Sequence, residues 1–225
     1  MLCRLLIADI TLCSAHETGY RVSQPDAVAD LIERAAAACR LTSQAIPTQN
    51  PRMTDNSWPE AVFRVLKSGN VRQIAFVPDA GLADLIRRAQ SDPAIRDLVL
   101  TTEEEGVAIA CGAWLGGQRA VLLMQSSGVG NCVNMFSLLA SCQFPFLTLV
   151  AMRGEYAEMN PWQVPMGRAT QQVLELMGIQ VMRANTAREV EDTVRAAIDA
   201  VFEANDRVAV LLGQKLIGRK KWESD

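Results

Sequence analysis

From residue 57 onward the sequence predicts an α/β fold: a doubly wound, mainly parallel six-stranded sheet with helices on both faces. Three observations predict it. Six short apolar runs recur along this stretch, each of a length suited to a buried strand. Segments with apolar residues at helical spacing alternate with them, which is the pattern of a parallel sheet joined by right-handed crossovers. The composition, 49% apolar and 21% charged over 225 residues, is that of a globular chain able to bury a sizeable core.

Residues 1–53 stand apart. A helix is predicted over 26–40 (DAVADLIERAAAACR), and the polar, Pro-containing sequence after it ends in IPTQNPRMTDNSWPE. The segment reads as an N-terminal extension or linker, or as an over-called start, with the functional domain spanning 54–225. Within that domain, helix 57–68 has Ser57 as N-cap, Pro59 in its first turn and Gly69 just past its end. Strand 73–78 (QIAFVP) leads to an exit loop of Asp79, Ala80 and Gly81, and helix 82–91 follows. Next come strand 98–100, an acidic turn and helix 103–115. Strand 120–124 runs into a glycine-rich turn at 126–131 (SSGVGN), followed by a helix over 131–141. Strand 145–152 (PFLTLVAM) opens into a long polar loop at 153–167 (RGEYAEMNPWQVPMG). Helix 170–177, strand 179–182, helix 187–204 and strand 208–212 complete the series.

Several function classes are excluded early. Net charge is -3, from 22 basic and 25 acidic residues spread along the chain, so there is no electrostatic footprint for nucleic acid. The six cysteines form no CxxC pair and read as reduced thiols of a cytoplasmic protein. No apolar run reaches the roughly 18 residues that a membrane span needs. The apolar start contains Asp9 and lacks a small-residue cleavage site, so it does not read as a signal peptide. His16 is the only histidine, which removes a Ser-His-Asp triad, a Cys-His pair and a His-rich metal site from the body of the fold. Proton transfer falls to carboxylates, Lys, Tyr, Cys or a cofactor.

In sheets of this type ligands sit beyond the carboxyl ends of the strands. The loops there are 79–81, 101–105, 125–131 and 153–167, and they carry the unusual chemistry. Glu103, Glu104 and Glu105 open a helix. Thr101 with Glu104, and Thr102 with Glu105, match capping boxes, while the other reading holds one carboxylate beside a cofactor or substrate. Gly106, Ala110, Ala113 and Gly117 give that helix a face almost without side chains, which must approach another backbone within the domain or across an interface. SSGVGN is not G-x-G-x-x-G and no Walker lysine follows, but its glycines let the backbone pass close to a flat ligand. The 153–167 loop carries Arg153, Glu155, Glu158, Asn160, Trp162 and Gln163, and loops of this length within compact domains are often functional.

PDAGL, TTEEEGVAIACGAWLGG, MQSSGVGN, RGEYAEMNPWQVPMG and VAVLLGQKLIGRK, in this order, resemble the pyrimidine-binding domain of thiamine diphosphate-dependent 2-oxoacid decarboxylases. The nearest branches are the sulfopyruvate decarboxylase alpha subunits and the phosphonopyruvate decarboxylases, and the resemblance covers about residues 57–221. It implies that a helix-opening glutamate hydrogen-bonds the aminopyrimidine of the cofactor and activates it. The family places that glutamate nine positions before a helix glycine, and counting back from Gly112 gives Glu103, with Glu104 the alternative. By the same resemblance Gly128, Gly130 and Asn131 border the pyrimidine, and Asp79 faces the substrate. Gln163 falls near a position where relatives often carry histidine, and is assigned with Asp79 to catalysis. Gln125 and Arg153 are assigned to binding a small anionic 2-oxoacid, with Arg153 alternatively setting its loop through Glu155. The family binds the diphosphate and Mg²⁺ through a GDG motif on a second domain. This sequence has no GDG, so the resemblance implies a hetero-oligomer with a diphosphate-binding beta subunit, which fits the bare helix face; another chain or a second copy is expected to pack there, and self-association is expected. A carboligase subunit using the same cofactor and a non-catalytic interaction module are the competing readings.

Overall fold

The computed structural model describes residues 57–218. The helix expected over 26–40 and the boundary between 1–53 and 54–225 lie outside the described residues. The elements are α1 (Trp58–Ser68), β1 (Val71–Phe76), α2 (Ala83–Ser91), β2 (Arg96–Val99), α3 (Glu103–Leu115), β3 (Arg119–Gln125), α4 (Ser126–Cys132), α5 (Phe136–Cys142), β4 (Phe146–Ala151), α6 (Gln163–Leu176), β5 (Gln180–Ala184), α7 (Ala187–Ala204), β6 (Arg207–Leu212) and α8 (Gln214–Ile217). The six strands form one sheet in the order β2-β1-β3-β4-β6-β5, and every pairing is parallel.

Burial explains why the strand signal was a run of apolar residues with no alternation. β4 is buried at every position and β3 and β6 nearly so, because helices cover both faces of the sheet. The edge strand β2 is mostly exposed and carries Arg96 and Asp97, charges that discourage pairing with another sheet edge. One apolar layer joins α1, α2 and α7 to the sheet through Val62, Leu66, Leu85, Ile86, Val194 and Ile198. The other joins α3 to α6 through Val107, Cys111, Val129, Phe136, Leu139 and Leu174. The helices change layer whenever the chain reverses direction across the sheet, as right-handed crossovers require. No described helix is long and apolar enough to cross a membrane.

Three expectations change. SSGVGN is not a turn but the first part of a helix, α4, and the helix expected over 131–141 is broken at 133–135 into α4 and α5. Glycine costs up to about 1 kcal/mol in a helix relative to Ala, so two in seven residues argued for a turn; packing overrides that preference. Second, α6 begins at Gln163, shortening the 153–167 loop. Pro165 sits in its first turn, where the missing N–H costs little. Gly167 is in the helix because a Cβ there would lie 2.1 Å from the Arg153 carbonyl oxygen. Third, the small-residue face of α3 packs on its own sheet. A Cβ on Gly106 would lie 2.3 Å from Leu122 and 2.9 Å from Leu100, and Ala110 and Ala113 are buried with it. The observation that suggested self-association is therefore accounted for inside the domain.

Candidate active site

The sheet changes winding between β1 and β3. The chain leaves β1 for α2 in one layer and leaves β3 for α4 in the other, which opens the carboxyl edge between them. Asp79 and Gln125 face each other across it. Gln125 Nε2 donates to Asp79 Oδ1 at 2.8 Å, and the Gly81 N–H donates to Asp79 Oδ2 at 2.9 Å. Gln125 Oε1 accepts from Ser127 Oγ at 2.9 Å and from Gln163 Nε2 at 2.9 Å. Three residues singled out in the sequence, from three different connections, thus form one hydrogen-bonded row. Ser127 is an addition to it.

Glu103 is the first residue of α3 and is 9% exposed, while Glu105 is exposed. Its Oε2 accepts from Asn131 Nδ2 at 2.8 Å. Its side chain lies across Gly128 so closely that a Cβ there would be 2.5 Å from Cγ, Cδ and Oε1. Glu103, Gly128 and Asn131 are one unit, since Gly128 and Asn131 lie three residues apart on the same face of α4. Gly130 is not part of it. It is exposed, two positions from Gly128 and so on the far side of the helix, and its nearest neighbour is Met166 at 3.5 Å.

The other two carboxylates serve the helix start, though not as full capping boxes. Glu105 accepts from the Thr101 N–H at 3.0 Å, and Glu104 accepts from the Thr102 hydroxyl. That hydroxyl bond holds Glu104 below the usual carboxylate range. The Thr102 side chain makes no cap bond to the backbone. Cys132, one turn beyond Gly128, is fully buried, and burial first, then the charges of Glu103 and Glu104, push its thiol up to about 12. It stays protonated and unreactive near neutral pH.

Arg153 departs from expectation. Its Nε and Nη2 donate to the two oxygens of Glu158 at 2.7 and 2.6 Å, a two-pronged pair that is mostly buried on both sides. Its partner is Glu158 and not Glu155, which pairs instead with Arg183. Two positions of its guanidinium fork, Nε and Nη2, are engaged by this loop contact. The reason is local: Gly154 takes φ +77° and turns the chain so that Glu158 reaches back five residues. The Gly154 and Asn160 N–H groups and Gln214 Nε2 also donate to Glu158. The Arg153 contact, followed by these donors, holds Glu158 well below the usual carboxylate range. Gln214, 2% exposed, also accepts from the Glu155 and Tyr156 N–H groups. Sequence reasoning missed Gln214, although its place directly after the last strand was a signal. Among the described residues no group of three or more His, Cys, Asp or Glu side chains is placed to hold a metal ion.

No protein-family model matches the chain. Comparison with known proteins does find relatives. The chain is 34% identical over 152 residues to the sulfopyruvate decarboxylase subunit alpha of Methanocaldococcus jannaschii, covering 67% of this chain and 90% of that one. The chain belongs to the sulfopyruvate decarboxylase alpha-subunit family. The family membership read from the motifs therefore holds. A phosphonopyruvate decarboxylase of Streptomyces viridochromogenes is 40% identical over 112 residues, 49% of this chain and 28% of that protein. Among solved structures, the thiamine diphosphate-dependent 4-hydroxybenzoylformate decarboxylase of Rhodococcus jostii RHA1 superposes with a TM-score of 0.56 at 14% identity, over 75% of this chain. This family member spans about a third, 34%, of that longer chain, and the likeness is one of fold.

Proposed function

We propose that this chain is the alpha-type subunit of a thiamine diphosphate-dependent decarboxylase acting on a small anionic 2-oxoacid of the sulfopyruvate or phosphonopyruvate kind. The observation that carries the reading is Glu103, nearly buried at the carboxyl edge of the sheet and lying over a glycine that leaves no room for a Cβ. An aminopyrimidine needs a carboxylate to accept one strong hydrogen bond from its ring nitrogen, in a site dry enough for that bond to count. Glu103 fits the requirement. Asn131 pairs with Oε2, and no donor among the described residues pairs with Oε1.

Thiamine diphosphate, when bound, supplies a carbon nucleophile for the 2-oxo group and holds the electrons released with CO2. The residues of this chain do the rest of their half. Glu103 holds a proton on the pyrimidine ring, Asn131 fixes the orientation of that carboxylate, and Gly128, having no Cβ, leaves the room the Glu103 side chain occupies. Asp79, Gln125 and Gln163 line the substrate side. The diphosphate and Mg²⁺ fall to a partner chain with a GDG motif. This agrees with the name "subunit alpha" carried by the Methanocaldococcus jannaschii relative.

The test is purification with the partner chain, thiamine diphosphate and Mg²⁺, with CO2 release measured from sulfopyruvate and phosphonopyruvate. Glu103→Gln keeps the shape but loses the acceptor charge, and is expected to lower kcat by about 10³-fold or more. Full activity in that variant, with Glu104→Gln inactive, moves the role one residue on. Activity in both variants removes the activator role from both glutamates, and no CO2 release by the wild-type complex refutes the decarboxylase reading.

A further inference from the structure

Asp79, Gln125 and Gln163 form a row whose direction is fixed at one end. An ionised carboxylate can only accept, and the Gly81 N–H occupies Oδ2 of Asp79, so Oδ1 must face a donor. The amide of Gln125 therefore points its Nε2 at Asp79 and its Oε1 away. Two donors meet that oxygen, Ser127 Oγ and Gln163 Nε2. With its Nε2 engaged, Gln163 has its carbonyl oxygen left over, and this oxygen is buried without a hydrogen-bond partner among the described residues.

We propose that Asp79 is a positioning residue that sets the polarity of this relay, so that Gln163 ends it with an acceptor. The group recognised there is then a hydrogen-bond donor, an amino or hydroxyl group, and not the carboxylate, sulfonate or carbonyl of a 2-oxoacid, all of which only accept. The proposal rests on the functional reading above for the identity of the ligand, but not for the relay.

The geometry dictates how the relay can be reversed. In Asp79→Asn the Gly81 N–H still needs an acceptor, so the new amide oxygen takes that place and its NH2 faces Gln125. Gln125 and Gln163 then turn over in sequence, the Ser127 hydroxyl rotates to accept, and Gln163 ends the row with a donor. In Gln163→Glu alone, a carboxylate faces Gln125 Oε1, which cannot turn without facing Asp79 with oxygen. In the double variant, the reversed Gln125 donates to the introduced carboxylate, whose other oxygen restores the terminal acceptor.

The experiment is the thermal midpoint of the full chain in the four combinations, followed by kcat in the reconstituted holoenzyme. Asp79→Asn is expected within about 3 °C of the wild type, Gln163→Glu about 5–10 °C below it, and the double variant to regain most of that loss. The deficit of Gln163→Glu relative to wild type shrinks at acid pH, where the introduced carboxyl is protonated and can donate to Gln125. In kcat both single variants fall and the double recovers, a rescue that two merely structural side chains would not give. Additive losses of Tm in the double variant overturn the relay, whatever the activity. A Tm rescue in a reconstituted complex that releases no CO2 leaves the relay standing and overturns the decarboxylase reading instead.

Discussion

Gly128 and Gly130 lie two positions apart on α4 and predict opposite outcomes for the same substitution. Placing Ala at a helical glycine ordinarily stabilises by up to about 1 kcal/mol. Gly130→Ala meets nothing closer than Met166 at 3.5 Å, so it is expected to raise Tm by a few degrees, about 2–4 °C, and leave kcat unchanged. Gly128→Ala puts a methyl group 2.5 Å from the Glu103 carboxylate. Either the carboxylate moves or the helix does, at a cost of roughly 1–3 kcal/mol. The expected result is a lowered Tm and a kcat close to that of Glu103→Gln. Measuring both on both variants separates the role of Gly128 from a general need for glycine in this helix. Asn131 completes the logic, because its amide is the only described partner of Glu103 Oε2.

The connection between β4 and α6 is held by a polar cluster in place of an apolar one. Glu158 collects five donor contacts from Arg153, the Gly154 and Asn160 N–H groups, and Gln214. Removing its charge leaves the mostly buried Arg153 guanidinium without its counter-ion, which costs about 3–5 kcal/mol. Glu158→Gln is therefore expected to lower Tm at neutral pH. The pH dependence has a defined sign. The folded-state pKa of Glu158 is depressed from 4.5, so its contribution is fully present above that value and is lost as pH falls below it toward the folded pKa. The Tm difference between wild type and Glu158→Gln should be constant above about pH 5 and close as the solution is acidified. A difference that grows on acidification contradicts the assignment. This cluster also marks what the sequence could and could not reveal. Strands β3, β4 and β6 were legible because they are covered on both faces and read as unbroken apolar runs. The loops that carry Glu103, Asp79, Gln125 and Gln163 were legible because strand ends locate the ligand edge, while the choice of residues within them came from the family resemblance. The α4 helix was not, because Gly128 is demanded by a carboxylate arriving from α3, a contact absent from local sequence. Nor was the choice of Glu158 over Glu155 as partner of Arg153, which depends on the positive φ of Gly154. The bare face of α3 showed close approach correctly but not its target, since spacing fixes a helix face without saying which neighbour it meets.

The carboxyl edge of the sheet offers a nearly buried carboxylate packed on a glycine and, separately, a row of amides ending on Asp79. Net charge over the full chain is -3, and no described acidic cluster is placed to hold the divalent cation that a diphosphate carries. The two ends of such a cofactor make different demands. The aminopyrimidine asks for one acceptor in a dry crevice, while the diphosphate asks for a metal and backbone donors. If this chain meets only the first demand, the isolated subunit should bind thiamine diphosphate weakly and the complex tightly. Titration calorimetry with Mg²⁺ present should give a Kd at least about 100-fold higher for the chain alone than for the chain with its partner, equivalent to roughly 3 kcal/mol. Glu103→Gln should weaken binding to the complex far less than loss of the partner does, because it removes one hydrogen bond from a cofactor held mainly by its other end. The isolated chain should release no CO2 from either 2-oxoacid at any cofactor concentration. Tight binding of thiamine diphosphate to the chain alone would place the diphosphate site within this subunit and remove the argument for a divided one.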